Sequence, residues 1–304
     1  LDGRAKTLHP KIHSGILFKR DNKIHKKQMQ KKQFEPIDLV IVNFYPFETV
    51  IRKTSNKKKI IENIDIGGPS MVRAAAKNFE SVTVITDKKD YSELIKELKK
   101  LKGKTTFNFR KRMASKAYGL TAYYDAIVSE WFNKDIGLNF PERKTFFGKK
   151  ISQLRYGENP HQKSSIYINS LKNDDINLQQ LSGKELSYNN YNDVFASLDI
   201  LFSNLKTPST VIIKHANPCG VSSNKSALRS FLNAQASDPI SAFGGIVACN
   251  YKINRRIALE INKTFFEVIL AKGFDKNTLR ILKKKKNMRI IDISKFSYES
   301  KTTC

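Results

Sequence analysis

A lysine and a histidine stand side by side in the stretch KHANPCG at 214–220, directly after the apolar run VII at 211–213. The apolar run predicts a buried strand, and the Pro and Gly that follow predict a loop at its carboxyl end. Ligands bind at that end of a strand in open α/β sheets, because side chains there face a crevice. Lys214 carries a fixed charge, and histidine is the residue type used as an acid and base near neutral pH, so the Lys214–His215 pair suits acid–base chemistry on an anionic or polarised substrate. A strand-end lysine and a structural histidine are the simpler interpretation of this stretch alone.

Two other kinds of catalytic site share part of this pattern. Zinc deaminases carry H-x-E and P-C-x-x-C, but here Asn217 stands where the catalytic Glu would be and Ser222 where the second Cys would be. The sequence therefore argues against a metal site. A thiol hydrolase built on Cys219 and His215 fits the strand-end placement and nothing else, and a small packed Cys is the more common role.

The first half of the chain contains a second group of polar residues. Arg73 and Lys77 are four residues apart on a predicted helix and so share one face of it. The DIGG turn at 65–68 can bring a carboxylate and free backbone N–H groups close to a planar base. A further set suits a phosphate or carbonyl-oxygen site: Arg4, Lys6 and Thr7. Taken alone, Lys77 is typical of an ordinary exposed helix end.

Alternating strands and helices predict an α/β protein with two domains. In the first half we predict strands at 37–44 and 82–86 and helices at 70–79, 91–101 and 109–132. In the second half we predict strands at 211–213, 246–249, 267–271 and 289–293, and helices at 227–236, 255–265 and 277–285. The Pro- and Lys-containing segment 141–150 predicts an interdomain linker, so we place the domains at 1–147 and 148–304.

The chain is strongly basic, with 55 Lys and Arg against 28 Asp and Glu and a net charge of +27. The excess is mostly Lys and scattered in short runs, whereas nucleic-acid modules favour Arg forks and interleaved aromatic residues. We therefore expect neither a nucleic-acid partner nor, without an apolar run of about 20 residues, a membrane span. Three distant cysteines without C-x-x-C spacing argue against disulfides and structural zinc and fit the reducing cytoplasm.

Several motifs occur in an order that closely resembles the bifunctional AICAR formyltransferase/IMP cyclohydrolase family of purine biosynthesis. The first half carries LDGRAKTLHP at 1–10, NFYPF at 43–47, and DIGGP at 65–69 leading to KN at 77–78. The second half carries LRYGENPHQ at 154–162, GKELSYNN at 183–190, KHANPCG at 214–220 and DPISAFGG at 238–245. The ordered set covers essentially the whole chain and is far more specific than any one motif.

The resemblance implies a methylglyoxal-synthase-like first domain that carries the cyclohydrolase and a cytidine-deaminase-like second domain that carries the formyltransferase. In the first domain it implies that Lys77 is the proton donor and acceptor, assisted by Lys6, Tyr45 and Asp65. The implied nucleotide contacts there are Arg4, Thr7, Val42, Asn43 and Ile66, besides Lys6 and Asp65.

In the second domain the resemblance implies that His215 is the general base and Lys214 the transition-state stabiliser. A positioned general base typically contributes ~10²–10⁴-fold to the rate. The implied substrate contacts are Arg155, Tyr156, Gly244 and Glu267.

The family also implies co-substrates and partners. The formyl donor would be 10-formyltetrahydrofolate, with no metal required, and the nucleotides would be AICAR, formyl-AICAR and IMP. A cytoplasmic homodimer with the formyltransferase site at the subunit interface is implied. So is a chain truncated at both ends, which lacks the family's upstream phosphate loop and first strand and most of its folate site. The alternative from a different class is a fragment without catalysis of its own, which acts as a nucleotide-binding or assembly module.

Overall fold

The structure is a computed structural model that describes residues 7–169, 178–203 and 206–296. The chain divides into two compact units, Leu1–Gly148 and Lys149–Cys304. Arg4 and Lys6, two of the predicted site residues, lie outside the described residues. Within the described ranges, no helix has both the length and the apolar character needed to cross a bilayer.

The first unit contains a short parallel strand pair and mainly helices. Its strands are β1 (Leu39–Ile41) and β2 (Thr83–Ile85), and a 3₁₀ turn covers Lys88–Asp90. Its helices are α1 (Pro10–Leu17), α2 (Lys23–Lys31), α3 (Phe47–Lys53), α4 (Lys57–Glu62), α5 (Gly67–Lys77), α6 (Tyr91–Lys100) and α7 (Phe107–Asp135).

The core of the first unit lies where α5 and α7 meet the strand pair. Small side chains let the two helices approach closely, and Ala75 and Ala117 are fully buried with Val72 and Val84. The strand predicted at 37–44 is shorter than expected, and only its middle residue, Val40, is buried. The expectation of a buried strand is wrong there, because β1 has β2 as its one partner among the described residues and its outer face is open.

The second unit is built around a six-stranded sheet. Its helices are α8 (Tyr188–Leu201), α9 (Ala227–Ser237), α10 (Pro239–Ala242), α11 (Arg255–Lys263) and α12 (Lys276–Leu282). A separate two-stranded sheet joins β3 (Lys149–Gln153) to β4 (Ser165–Ile168). The strands of the large sheet are β5 (Gln179–Ser182), β6 (Ser209–Lys214), β7 (Asn217–Ser223), β8 (Ile246–Cys249), β9 (Val268–Ala271) and β10 (Arg289–Asp292).

The order of the large sheet is β5-β10-β9-β8-β6-β7. Strands β8, β9 and β10 are parallel, whereas β6 runs antiparallel to β8. The central strands are buried on both faces, under α8 on one face and under α9, α11 and α12 on the other, which is why they appear in the sequence as continuous apolar runs. The predicted strands and helices of this half are confirmed, with shifted ends. The carboxyl end of β6 meets the amino ends of the parallel strands.

Two sequence expectations are wrong in the second unit. The predicted loop after β6 is only a two-residue turn, and Pro218 and Gly220 already belong to strand β7. Pro218 is tolerated there because β7 is an edge strand. A side chain at Gly220 would lie 1.8 Å from the carbonyl oxygen of Ala234, so the glycine lets α9 pack directly on this strand. The predicted linker also ends early, because Lys149 and Lys150 already belong to β3.

Candidate active sites in the two units

The β6–β7 turn places His215 in an uncommon backbone conformation. His215 has φ +54° and Ala216 has φ +58°, so both central residues of this two-residue hairpin lie in the left-handed region. Such turns match the twist of the strands but usually contain Asn and Gly. A residue other than glycine is destabilised by about 1–3 kcal/mol when it adopts a sparsely populated backbone conformation. The histidine side chain itself is exposed at the tip.

Hydrogen bonds hold this turn and the lysine before it. The backbone N–H of Ala216 donates to Asp193 Oδ1 at 2.7 Å, and Asn217 Nδ2 donates to the carbonyl oxygen of His215 at 2.9 Å. Lys214 Nζ donates to the carbonyl oxygen of Phe243 at 2.9 Å, which ties the end of β6 to the residue before Gly244.

Strand register brings further predicted residues to this edge of the sheet. Ile213 pairs with Ile246, and Ile246 pairs with Val268. Lys214 is therefore next to the glycine turn before β8, and that turn is next to Glu267. In the turn, Gly244 has φ +76° and its N–H donates to the carbonyl oxygen of Phe265 at 2.8 Å. The structure thus places four predicted residues at one end of the sheet, where β6 ends and where β8 and β9 begin: Lys214, His215, Gly244 and Glu267.

The carboxylate of Glu267 has two partners. Asn190 Nδ2 donates to Glu267 Oε2 at 3.0 Å, and a guanidinium nitrogen of Arg289 lies 3.6 Å from the same oxygen. The Arg289 side chain is only 11% exposed, whereas that of Glu267 is 43% exposed. Asn190 and Arg289 therefore fix the position of the Glu267 carboxylate, and part of the carboxylate stays accessible to a ligand.

Arg155 and Tyr156 lie in the segment between β3 and β4. The Arg155 guanidinium lies 5.4 Å from the centre of the Tyr156 ring, and Ser164 Oγ donates to the carbonyl oxygen of Tyr156 at 2.8 Å. Asn189 Nδ2 reaches the carbonyl oxygen of Glu158 at 3.4 Å, so this segment lies against the first turn of α8. The first turn of α8 also carries Asn190, the partner of Glu267.

The two cysteines among the described residues, Cys219 and Cys249, have the properties of packed thiols. Burial, followed by the charge of Asp238, raises the pKa of Cys219, and burial raises the pKa of Cys249 to about 11. Catalytic cysteines need a lowered pKa, so the thiol-hydrolase interpretation loses its support. Among the described residues, no group of three or more His, Cys, Asp or Glu side chains is close enough to hold a metal ion.

In the first unit, Asp65 connects two chain segments. Its Oδ1 accepts from the backbone N–H of Gly68 at 2.8 Å, and its Oδ2 accepts from the backbone N–H of Tyr45 at 3.2 Å. The backbone N–H of Asp65 donates to the hydroxyl of Tyr124 at 2.8 Å. Asp65 is 9% exposed, while the side chains of Tyr45 and Ile66 are 56% and 58% exposed beside it. The carboxylate therefore orders the backbone, and its neighbours face outward.

Thr7 also belongs to this group. A side chain at Gly67 would lie 2.1 Å from Thr7 Oγ1, so only glycine allows this contact at the start of α5. Val42 continues the pairing of β1, because its N–H donates to the carbonyl oxygen of Ile85 at 3.0 Å, and Asn43 after it is exposed.

Lys77 lies at the other end of α5, exposed in its last turn. Ten residue steps separate it from Gly67, which is about 15 Å along the helix axis. Asn78 caps this end, and its Nδ2 donates to the carbonyl oxygen of Ile16 at 2.7 Å. The structure thus brings Tyr45, Asp65 and Thr7 together near the start of α5 and leaves the Lys77 backbone apart from them.

Sequence reasoning missed three residues that support these sites: Tyr124, Asn190 and Asp193. Asn190 is the last residue of the SYNN part of a motif already singled out, and Asp193 follows it three positions later on α8, so the i,i+3 spacing was an available signal. Tyr124 carried no signal, because it is one of three tyrosines in a 29-residue helix and nothing in the local sequence distinguishes it from Tyr118 and Tyr123.

Comparisons with known proteins extend over nearly the whole chain. Residues 75–303 match the family model described as the AICARFT/IMPCHase bienzyme. A protein of a Thermoanaerobacter species, named bifunctional purine biosynthesis protein PurH, is 46% identical over 301 residues and is matched along 98% of this chain and 59% of its own length. The protein of the same name from Bradyrhizobium diazoefficiens is 46% identical over 294 residues, covering 96% of this chain and 56% of that protein.

The chain therefore spans a little over half the length of these curated relatives. Among solved structures, one titled crystal structure of ForH aligns with a TM-score of 0.39 and 34% identity, over 43% of this chain and 69% of that chain.

Proposed function

Since the chain belongs to the AICARFT/IMPCHase bienzyme family, we propose that it supplies residues for the last two steps of IMP synthesis. In the first step a formyl group passes from 10-formyltetrahydrofolate to the exocyclic amine of AICAR. In the second step the formylated nucleotide closes to IMP with loss of water. The observation that carries this proposal is the family match, which runs through the second unit and into α5 of the first.

We assign formyl transfer to the second unit. The AICAR amine is conjugated into an electron-poor ring and is a weak nucleophile, so it gains from a base that removes its proton during attack. His215 is exposed at the turn and suits this role, and the ammonium of Lys214 suits stabilisation of the tetrahedral oxyanion. The nearby Gly244 turn and the held carboxylate of Glu267 support a nucleotide site at this edge, with Arg155 and Tyr156 as further contacts.

We assign ring closure to the first unit. The carboxamide nitrogen must attack the formyl carbon, which requires a proton acceptor and a rigid grip on the nucleotide. The exposed Tyr45 and Ile66 beside the ordered Asp65 turn support a base-binding surface there, which Thr7, Val42 and Asn43 extend. We propose Lys77 as the proton donor and acceptor, assisted by Lys6, and Arg4 as a further nucleotide contact. The long flexible side chain of Lys77 would have to cover part of its distance from the turn.

Further features follow from the family rather than from the described residues. We propose a methylglyoxal-synthase-like fold for residues 1–147 and a cytidine-deaminase-like fold for 148–304. We also propose a cytoplasmic homodimer that uses a folate formyl donor, AICAR, formyl-AICAR and IMP, without a metal. The exposed Ile240 (86%) and Phe243 (57%) next to the Lys214 edge support a partner surface there.

The test is to measure both half-reactions separately, because each has its own substrate. The 304-residue chain and a protein of the relatives' full length that contains it are supplied with AICAR and the formyl donor, or with formyl-AICAR alone. From the full-length protein we expect IMP in both cases, because the formyl-AICAR made in the first case is then cyclised, and release of the deformylated folate in the first case reports formyl transfer. Nucleotide binding without either product, in that protein, would favour the non-catalytic binding or assembly module instead.

A further inference from the structure

The turn that carries His215 has a backbone conformation that its two central residues rarely adopt. Both central positions are left-handed, with φ +54° at His215 and +58° at Ala216, and neither is Asn or Gly. Such a conformation persists only where surrounding contacts determine it. A contact from outside the turn must therefore hold it in place.

Helix α8 supplies that contact. Asp193 Oδ1 accepts the backbone N–H of Ala216 at 2.7 Å, a short hydrogen bond to a charged group. The helix itself is fixed against the sheet, because Val194, Leu198 and Leu201 are each at most 1% exposed and pack in one cluster with the β6 residues. The carboxylate is thus presented from a rigid element, whereas the turn it holds is exposed.

We propose that Asp193 is the positioning residue that keeps His215 in its left-handed conformation and so aims the imidazole at the substrate. Asn217 assists, since its Nδ2 donates to the His215 carbonyl oxygen at 2.9 Å. This inference rests on the proposed role of His215 as the base. It differs from that role in that Asp193 acts through the backbone of the turn and touches no reacting atom.

The same helix face holds a second part of the site. Asn190 precedes Asp193 by three residues, lies on the same side of α8, and donates to Glu267 Oε2 at 3.0 Å. A capping box with Ser187 fixes Asn190 in turn. The first two turns of α8 therefore orient both the histidine turn and the acidic contact, which assigns a purpose to the GKELSYNN motif at 183–190.

The test compares Asp193→Ala with Asp193→Asn in a protein of the relatives' full length. Alanine removes the acceptor, so we expect kcat for formyl transfer to fall on the order of tenfold or more, with KM for AICAR nearly unchanged. Asparagine keeps an oxygen acceptor at the same position and should retain most of kcat. Adding Ala216→Gly to Asp193→Ala should recover part of kcat, because glycine adopts the left-handed conformation without a side-chain penalty.

Asn192→Ala is the matched control, because its exposed side chain lies on the same helix next to Asp193. Unchanged kcat in a folded Asp193→Ala protein would overturn the proposal, and so would equal losses in the Ala and Asn variants, which would point to the charge instead. Hydrogen exchange at the Ala216 amide needs neither turnover nor a variant. Protection is expected, and exchange at the rate of a free peptide would overturn the proposed contact. A protected amide in a protein that transfers no formyl group would instead refute the proposed function.

Discussion

Replacing Tyr124 with Phe should destabilise the first unit by about 1–3 kcal/mol, because it leaves a buried backbone N–H without an acceptor. The Tyr124 hydroxyl accepts the N–H of Asp65 at 2.8 Å and donates to the carbonyl oxygen of Asn63 at 3.3 Å. The ring is 7% exposed and packs edge-on against Phe44 and Phe47, with centroids 5.2 and 6.1 Å away. Phenylalanine keeps these ring contacts, so the cavity cost is that of a single oxygen atom and the unpaired N–H dominates.

Urea unfolding followed by tryptophan fluorescence measures this loss. The chain has one tryptophan, Trp131, which lies on α7 with Tyr124 and contacts Phe47, so its signal reports on the first unit. Tyr118→Phe is the matched control, because this tyrosine lies on the same helix with 40% of its surface exposed, and its change should stay within about 0.5 kcal/mol. Equal midpoints for the two variants would refute the argument that the hydroxyl holds the Asp65 turn.

Three further predictions concern other parts of the chain. Burial raises the pKa of Cys249 to about 11 and also raises that of Cys219. At pH 7.5 both thiols should therefore react more slowly with an alkylating reagent in the folded chain than in the unfolded chain. Site-resolved mass spectrometry measures this difference. The pKa of Glu97 is lowered, chiefly because it accepts a backbone hydrogen bond from the N-cap residue of α7. The stabilisation by ionised Glu97 is fully present above its unfolded-state pKa of about 4.3 and disappears as the pH falls through its lower folded-state pKa. The free energy of unfolding between about pH 5 and 3 should therefore depend less on pH in Glu97→Gln than in the unchanged protein. Gly220→Ala should lower the free energy of unfolding by about 1–3 kcal/mol or prevent folding, because the added carbon would lie 1.8 Å from a carbonyl oxygen of α9. Gly119→Ala is the control in α7, where the added carbon meets open space, and it should raise the free energy of unfolding by about 0.5–1 kcal/mol.

The fold of the second unit was largely predictable where strands are buried on both faces. The apolar run at 246–249 matches β8 because a central strand must be apolar on both sides. The edge strands β5 and β7 were missed, since QQLS and NPCGVSS have neither alternation nor an apolar run and are strands through pairing with distant segments. The hairpin was missed for a related reason: His215 and Ala216 lack the Asn and Gly that indicate such a turn.

The candidate sites were predictable as residue types and not as contacts. Motif resemblance picked out Asp65 and Glu267, but the partners Tyr124 and Asn190 lie 59 and 77 residues away in the chain. Such pairs depend on how helices pack, so a local pattern such as the i,i+3 spacing of Asn190 and Asp193 can single out the residues but cannot name their partners. The same holds for Asp193, whose role depends on a turn that was itself unforeseen.

The measurement that tests the central claim most directly is both half-reactions in the same two variants, Lys77→Ala and His215→Ala, in a protein of the relatives' full length. The two residues lie in separate units, so each variant should lose one reaction by orders of magnitude and keep most of the other. We predict that Lys77→Ala loses ring closure and transfers formyl groups, and that His215→Ala closes the ring and no longer transfers them, while AICAR still binds. Equal loss of both reactions in either folded variant would contradict the assignment of one site to each unit.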